Sequence, residues 1–361
     1  MTVKLRQIIT IIGAGFVIVG GGLLMGQLYT YILPGVASAE ATAYDRLFQF
    51  AFAIAGMIIL LVDGVLIYCI IYFRRKPGDL SDGPPVHGNT VLEVVWTIIP
   101  IIIVSVLSVY SYNVLQVLQL PLDSVAAWFC GPLTPAQALA QPISGGDMVV
   151  NVKSRQFAWE FAYPDFGNIS SPELHVPLNQ TILLRLTSED VIHSFWVPQF
   201  RLKEDAVPGA ITEARFVPTV PGTYTVICAE LCGMGHSAMR APLVIENPDE
   251  FKAWANGLMS NNASPVSMAD AGRRQFIREG CGACHTLKDA GAGGQLGPAL
   301  DGLGAGASSR IPGKSAPDYV RESVLDPKTY IVPGYMDVMP SFKDKMTDQE
   351  MGALVGYLLQ Q

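Results

Sequence analysis

The chain has no basic cluster of the kind that binds nucleic acid. Its 24 Lys and Arg are outnumbered by 31 Asp and Glu, giving a net charge of -7 over 361 residues. Nothing in it is built to neutralise a phosphate backbone, so nucleic acid is excluded as a partner. A weakly acidic exterior suits a basic protein partner instead. Cysteine is scarce at six residues and histidine scarcer at five. Long apolar runs are missing beyond about residue 118, so the rest of the chain reads as extramembrane sequence.

What is present is concentrated before that point. Half of the residues are hydrophobic and mean hydropathy is +0.33, values that lean toward a membrane protein. Ile8 to Leu33 follows Lys4 and Arg6 and ends near "GVASAEA", where Ala37 and Ala39 have the spacing of a signal-peptidase site. Residues 1-39 therefore read as a signal peptide or as a first transmembrane helix. Leu47 to Phe73 ends in "FRRKPGD", and the positive-inside rule puts Arg74, Arg75 and Lys76 in the cytoplasm. Val91 to about Leu115 returns the chain to the other side. Residues 40-118 form a transmembrane helical hairpin in contact with lipid, and all that follows lies on the periplasmic or external face. Asp63 sits inside the second run, where a carboxyl is expensive and either functional or bonded to a neighbouring helix. Pro100 is expected to kink the third. Thr90-x-x-Glu93 has the form of a capping box.

From about Asp147 the pattern changes to short alternating strands separated by Pro and Gly: "MVVNVKS", "FAWEFAY", "TILLRLTS", "EARFVPT", "GTYTVICAE" and "APLVIEN". This is the pattern of a β-sandwich or barrel, over 119-259. Between the last two strands lies "CAELCGMGHSAM", residues 228-239. Cys228, Cys232 and His236 are four apart, but Gly233 and Gly235 argue for a loop and not a helix. His193, in "SEDVIHSFWVP", stands at another strand end. Cys228 and Cys232 could form a disulfide, or with two histidines hold zinc. Neither gives Met239 a role, whereas thiolates, imidazoles and a thioether together suit copper.

Residues 90-248 resemble subunit II of haem-copper cytochrome c oxidases, in "HGNTVLEVVWTIIP", "LTSEDVIHSFWVPQFRLKEDAVPG" and "CAELCGMGHSAM". The resemblance implies a cupredoxin-like fold holding the binuclear copper centre CuA. It implies that Cys228 and Cys232 bridge both coppers, that His193 and His236 cap one each, that Met239 is a weak ligand and that Glu230 supplies its backbone carbonyl. It also implies a magnesium ion against Glu230 at the interface with subunit I. "RQFAWEFAYP" resembles the family's aromatic stretch where electrons arrive from cytochrome c. Trp159 matches one family Trp, and Phe157 stands where the family often has another. Read as a strand, the same aromatics alternate as a core face would. Glu93 matches a glutamate at the mouth of a proton-uptake channel.

"SNNASPVS", 260-267, reads as a polar linker. Beyond it, "AGRRQFIREGCGACHTL" runs into Cys281-Gly-Ala-Cys284-His285. Both thiols can add to haem vinyl groups, leaving the adjacent imidazole to ligate iron. A lone dithiol or half a zinc site is the bland alternative, and no second cysteine pair is left to complete the latter. Residues 268-361 resemble class I cytochromes c, an all-α domain, in "LGPAL", "YMDVMPSF" and "TDQEMGALVGYLL". The resemblance implies that Met339, before Pro340, is the second axial ligand of haem c, with Met336 the fallback. Cys69 lies in a span, Cys130 has no evident partner, and His87 and His175 read as ordinary loop residues.

Fusion of these parts resembles the caa3-type oxidases of bacterial plasma membranes. The implied function is relay of electrons from an external donor, a cytochrome c or a quinol-oxidising complex, through haem c and CuA to haem a of subunit I. That partner also holds haem a3-CuB, where oxygen is reduced with proton translocation. The five histidines here supply no such oxygen site. A CuA-containing nitric oxide reductase would use the same arrangement, and a stand-alone membrane-tethered carrier is the other alternative.

Overall fold

The structure, a computed structural model, describes residues 3-75, 78, 88-117, 146-263 and 267-361. His87 and Cys130 lie outside them. The chain divides into two compact units.

The first unit is helical: α1 (Val3–Ile32), α2 (Ala41–Tyr72) and α3 (Thr90–Val117). All three are long and apolar enough to cross a membrane. α1 lies on α2 through glycines that let the backbones approach closely. A Cβ on Gly22 would fall 2.3 Å from Met57, and one on Gly26 2.7 Å from the Gln49 carbonyl. α3 continues through Pro100 as one helix. The expected capping box is displaced. Thr90 is already helical, and Asn89 Oδ1 accepts from the Leu92 amide at 3.2 Å. Glu93 keeps its favourable place in the first turn, where a carboxylate complements the helix dipole.

The second unit begins with a sandwich of ten strands: β1 (Met148–Arg155), β2 (Ala158–Tyr163), β3 (Ile169–Ser171), β4 (Leu174–Pro177), β5 (Ile182–Ser188), β6 (His193–Val197), β7 (Leu202–Ala206), β8 (Thr212–Phe216), β9 (Gly222–Cys228) and β10 (Arg240–Glu246). One sheet has the order β3-β2-β1-β5-β8 and the other β4-β10-β9-β6-β7. The alternating aromatics do face inward. Trp159, Phe161 and Tyr163 of β2 meet Leu184, Leu186, Phe195, Val226 and Leu243 in one core, each such side chain contributing about 1.5–3 kcal/mol of burial. Ala37–Ala39 belongs to this unit. The Ala37 amide donates to Gln199 O at 3.0 Å, and the Thr219 amide to Ala37 O at 2.9 Å.

The helix α4 (Pro248–Ala263) lays Phe251 and Trp254 on the sandwich. It overruns the expected linker, since it continues to Ala263 while Ser267 already caps the next helix. His175 is no loop residue. It lies buried in β4, its ring stacked 4.0 Å from Trp254, with Glu246 2.9 Å from Nδ1.

The C-terminal region is helical: α5 (Met268–Arg278), α6 (Ala316–Leu325) and α7 (Asp348–Leu358), with a short hairpin, β11 (Thr286–Leu287) and β12 (Ala292–Gly293). Each helix starts on a side-chain cap, from Ser267, Ser315 and Thr347. α5 and α7 touch at Gly272, where a Cβ would fall 2.1 Å from the Ala353 carbonyl. Phe276, Leu287, Val320, Phe342 and Leu354 fill the core between them.

Candidate metal and haem sites

β6 and β9 are antiparallel neighbours, with Phe195 opposite Cys228. The start of β6 therefore delivers His193 to the pole where the end of β9 delivers Cys228. β10 begins at Arg240, so Met239 returns to the same pole, and the intervening loop carries Cys232 and His236. Cys228 Sγ lies 3.8 Å from Cys232 Sγ and 3.8 Å from His193 Nδ1. Cys232 Sγ lies 3.6 Å from His236 Nδ1 and 3.9 Å from Met239 Sδ. The Glu230 carbonyl accepts from the Cys228 thiol at 3.3 Å, while its own side chain is exposed. A disulfide would need about 2.05 Å between the sulfurs, and both thiols are free. Metal-thiolate bonds of about 2.3 Å, by analogy with zinc, would let one ion touch both sulfurs at their observed separation. The donor set, two thiols, two imidazoles and a buried thioether, fits copper.

Burial pushes the Cys228 thiol up, but hydrogen bonds from His193 and the backbone bring it net down. Burial, and then the charge on Cys228, push Cys232 up. Thiols bind a metal as thiolates, so loading releases protons. Burial opposes charge on His193, yet Asp190 raises it overall. Asp190 Oδ1 sits 2.9 Å from His193 Nε2, which leaves Nδ1 toward the sulfurs. The same carboxylate accepts from the Gln156 amide at 2.8 Å and the Val191 amide at 2.7 Å. Against the cost of burial, these bonds hold Asp190 down to about 2.

Phe157 and Trp159 occupy different places. Trp159 is in the sandwich core, its ring edge-on to His193 at 6.2 Å between centroids. The ring of Phe157 lies on the loop between Cys232 and His236, where a Cβ on Gly235 would fall 2.4 Å from it. Gln156 Nε2 donates to the Cys232 carbonyl at 2.6 Å. Glu93 belongs to the other unit, exposed on α3, and is not part of either site.

The second site is a largely apolar cleft in the C-terminal region. Cys281, Cys284, His285, Met336, Met339 and Phe342 are among the residues that line it. His285 Nδ1 is 2.8 Å from the Pro298 carbonyl. Burial pushes this imidazole below its ordinary value, so near neutral pH Nδ1–H donates to Pro298 and Nε2 keeps its lone pair. Gly297 lies flat against the ring, since a Cβ there would be 2.5 Å from it. Met339 packs on the helical core, whereas Met336 is 62% exposed. A cleft lined by two thiols, an imidazole with a free Nε2 and a thioether has the donors for covalent haem with histidine and methionine ligation.

Asp190, Gln156 and Gly297 escaped the reading of the sequence. The position of Asp190, three residues before a ligating histidine, was the one available signal.

Residues 25–114 match the family model for the cytochrome C oxidase subunit II transmembrane domain. Residues 171–247 match the periplasmic domain of the same subunit, and 269–361 match cytochrome c. Cytochrome c oxidase subunit 2 of Thermostichus vulcanus is 39% identical over 266 residues, 65% of this chain and 81% of that protein. The subunit 2 of Alkalihalophilus pseudofirmus is 30% identical over 312 residues, 84% of each.

Proposed function

Because this chain belongs to the cytochrome c oxidase subunit II family, with a cytochrome c domain fused at its C-terminal end, we propose the following division of labour among its residues. Cys228, Cys232, His193, His236, Met239 and the Glu230 carbonyl would hold the copper of CuA. Cys281, Cys284, His285 and Met339 would hold haem c. When bound, these groups supply one-electron redox chemistry that carries electrons from an external donor, a cytochrome c or a quinol-oxidising complex, toward subunit I. Convergence of two thiols, two imidazoles and a thioether on one pole of a rigid sandwich carries this reading.

Each side chain has a stated task. Asp190 fixes the tautomer of His193, and the Pro298 carbonyl does the same for His285. The packed strands keep the ligands from rearranging when the charge on the metals changes. Met239 and Phe195, both fully buried, exclude water from the pole. Phe157, which touches the ligand loop and lines the haem cleft, is the residue across which electrons pass. Trp159, walled into the core, supports His193.

The proposal extends to setting. The two helices α2 and α3 span a bacterial plasma membrane, with Arg74 and Arg75 on the cytoplasmic side and both redox domains outside. The exposed Glu230 carboxylate would be a ligand for a magnesium ion at the interface with subunit I, and Glu93 would serve proton uptake. Copper and haem analysis of the purified oxidase with Cys228→Ser and with the paired Cys281→Ser and Cys284→Ser tests the assignment. The first variant should lose CuA and keep haem c, and the second the reverse; loss of both groups in either variant would refute separate sites.

A further inference from the structure

The C-terminal region meets the sandwich through residues that have no task in either ligand set. Arg155, the last residue of β1, is 7% exposed at its side chain, and Glu279, just before the haem-binding motif, is 3% exposed. Arg155 Nε lies 3.4 Å from Glu279 Oε2, and its Nη2 donates to the Arg278 carbonyl at 2.8 Å. Each partner is also held on its own side. Glu160 and Glu189 flank Arg155 at 3.4 and 3.6 Å, while Gln275 and Arg278 bond the other oxygen of Glu279.

The backbones close around this pair. Gly280 has φ +68, and a Cβ there would fall 2.8 Å from that of Ala158 and 3.0 Å from the Phe157 carbonyl. Glycine is required twice over, by conformation and by space. Ala283 and Cys284 of the haem motif pack against the sandwich core. Gln156 and Phe157 line the haem cleft, and Gln156 also bonds the Cys232 carbonyl.

We propose that Arg155 and Glu279 form a latch that holds the cytochrome domain in one fixed pose on the sandwich, with the haem cleft facing Phe157 and Gln156. The inference rests on the proposed function for its purpose, and on the interface alone for its existence. A connection of only a few residues after Ala263 already gives the attached domain a roughly millimolar effective concentration. An interface of about 10 μM intrinsic affinity would then be occupied about 99% of the time. The latch therefore need only select the pose. Being buried, the ion pair is poorly screened by salt, unlike the surface charges that steer a diffusing protein. Arg155 and Glu279 are positioning residues.

The test uses the assembled oxidase in membranes, with a protease recognition sequence inserted between Ser264 and Ser267. After cleavage, the cytochrome fragment of the otherwise unaltered protein should stay on the membranes, in 1 M as in 0.1 M salt. Arg155→Met and Glu279→Gln should each raise its release about tenfold, and the double variant should release no more than the worse single one, as coupled partners do. Ala158→Leu, a wedge against Gly280 that leaves every charge in place, should also release it. An unshifted haem spectrum and copper spin resonance would show that both domains remain folded in each variant. Release of the unaltered fragment by salt, retention in Arg155→Met and Ala158→Leu, or multiplied losses in the double variant would overturn the latch. Retention does not depend on electron flow. An absent CuA signal with normal retention would defeat the proposed function and leave the latch standing.

Discussion

Replacing Asp190 by asparagine keeps the shape of the side chain and removes its charge, which isolates its part in holding His193. The carboxylate lies 2.9 Å from His193 Nε2 and accepts two backbone amides besides. A hydrogen bond to a charged group contributes about 1.5–3 kcal/mol. Loss of the partner that orients a ligating histidine lowers metal affinity about 10- to 100-fold, or about 1.4–2.7 kcal/mol. The two figures agree, so Asp190→Asn should weaken copper binding by one to two orders of magnitude. Asp190→Ala should cost more, because the Gln156 and Val191 amides then lose their acceptor as well. Competition of the copper-depleted oxidase against a chelator of known affinity measures both. Affinities within twofold of the unaltered protein, or an alanine variant no weaker than asparagine, would refute the reasoning.

Met339→Ala should abolish the near-infrared charge-transfer band of methionine-ligated haem, while Met336→Ala, altering an exposed side chain, should leave it in place. Glu93→Gln should slow proton uptake during turnover of the assembled oxidase, followed with a pH-sensitive dye, and unchanged uptake would remove Glu93 from that role. The Glu350 carboxyl, bonded to the Thr347 amide at 2.8 Å and to Arg278 at 2.6 Å, is held down to about 2 from an ordinary 4.5. Its folded value is depressed, so its contribution is complete above pH 4.5 and is lost as pH falls toward 2. Glu350→Gln should flatten the acid unfolding curve of the cytochrome region across that window, with little pH dependence added elsewhere.

Most of each proposed ligand set could be read from the sequence because it is local. Cys228, Cys232, His236 and Met239 fall within twelve residues and Cys281, Cys284 and His285 within five, and thiols and imidazoles so spaced have few other uses, whereas His193 and Met339 lie far off along the chain. Three long apolar helices and six of the strands were legible from hydrophobic runs and alternation. β7, "LKEDA", was not, because charged residues break its alternation, and β3 is too short to show a pattern. The last turn of α4, "SNNA", reads as loop, yet the helix carries through it. His175 was misread since "ELHVP" offers no periodicity, and only Trp254 of a distant helix explains its burial. The latch left no trace in the sequence at all. Arg155 and the Arg278 carbonyl, next to Glu279, are 123 positions apart, and no local pattern marks partners so distant in the chain.

In the proposed site Cys228 and Cys232 hold a shared pair of metals and not a disulfide or a single ion. Electron spin resonance of the oxidised complex, with copper counted on the same sample, separates these cases. A shared pair gives two copper atoms assigned to this chain and one unpaired electron whose hyperfine splitting both nuclei share, lost together in Cys228→Ser. One copper per chain, or a signal localised on a single nucleus, would rule the pair out.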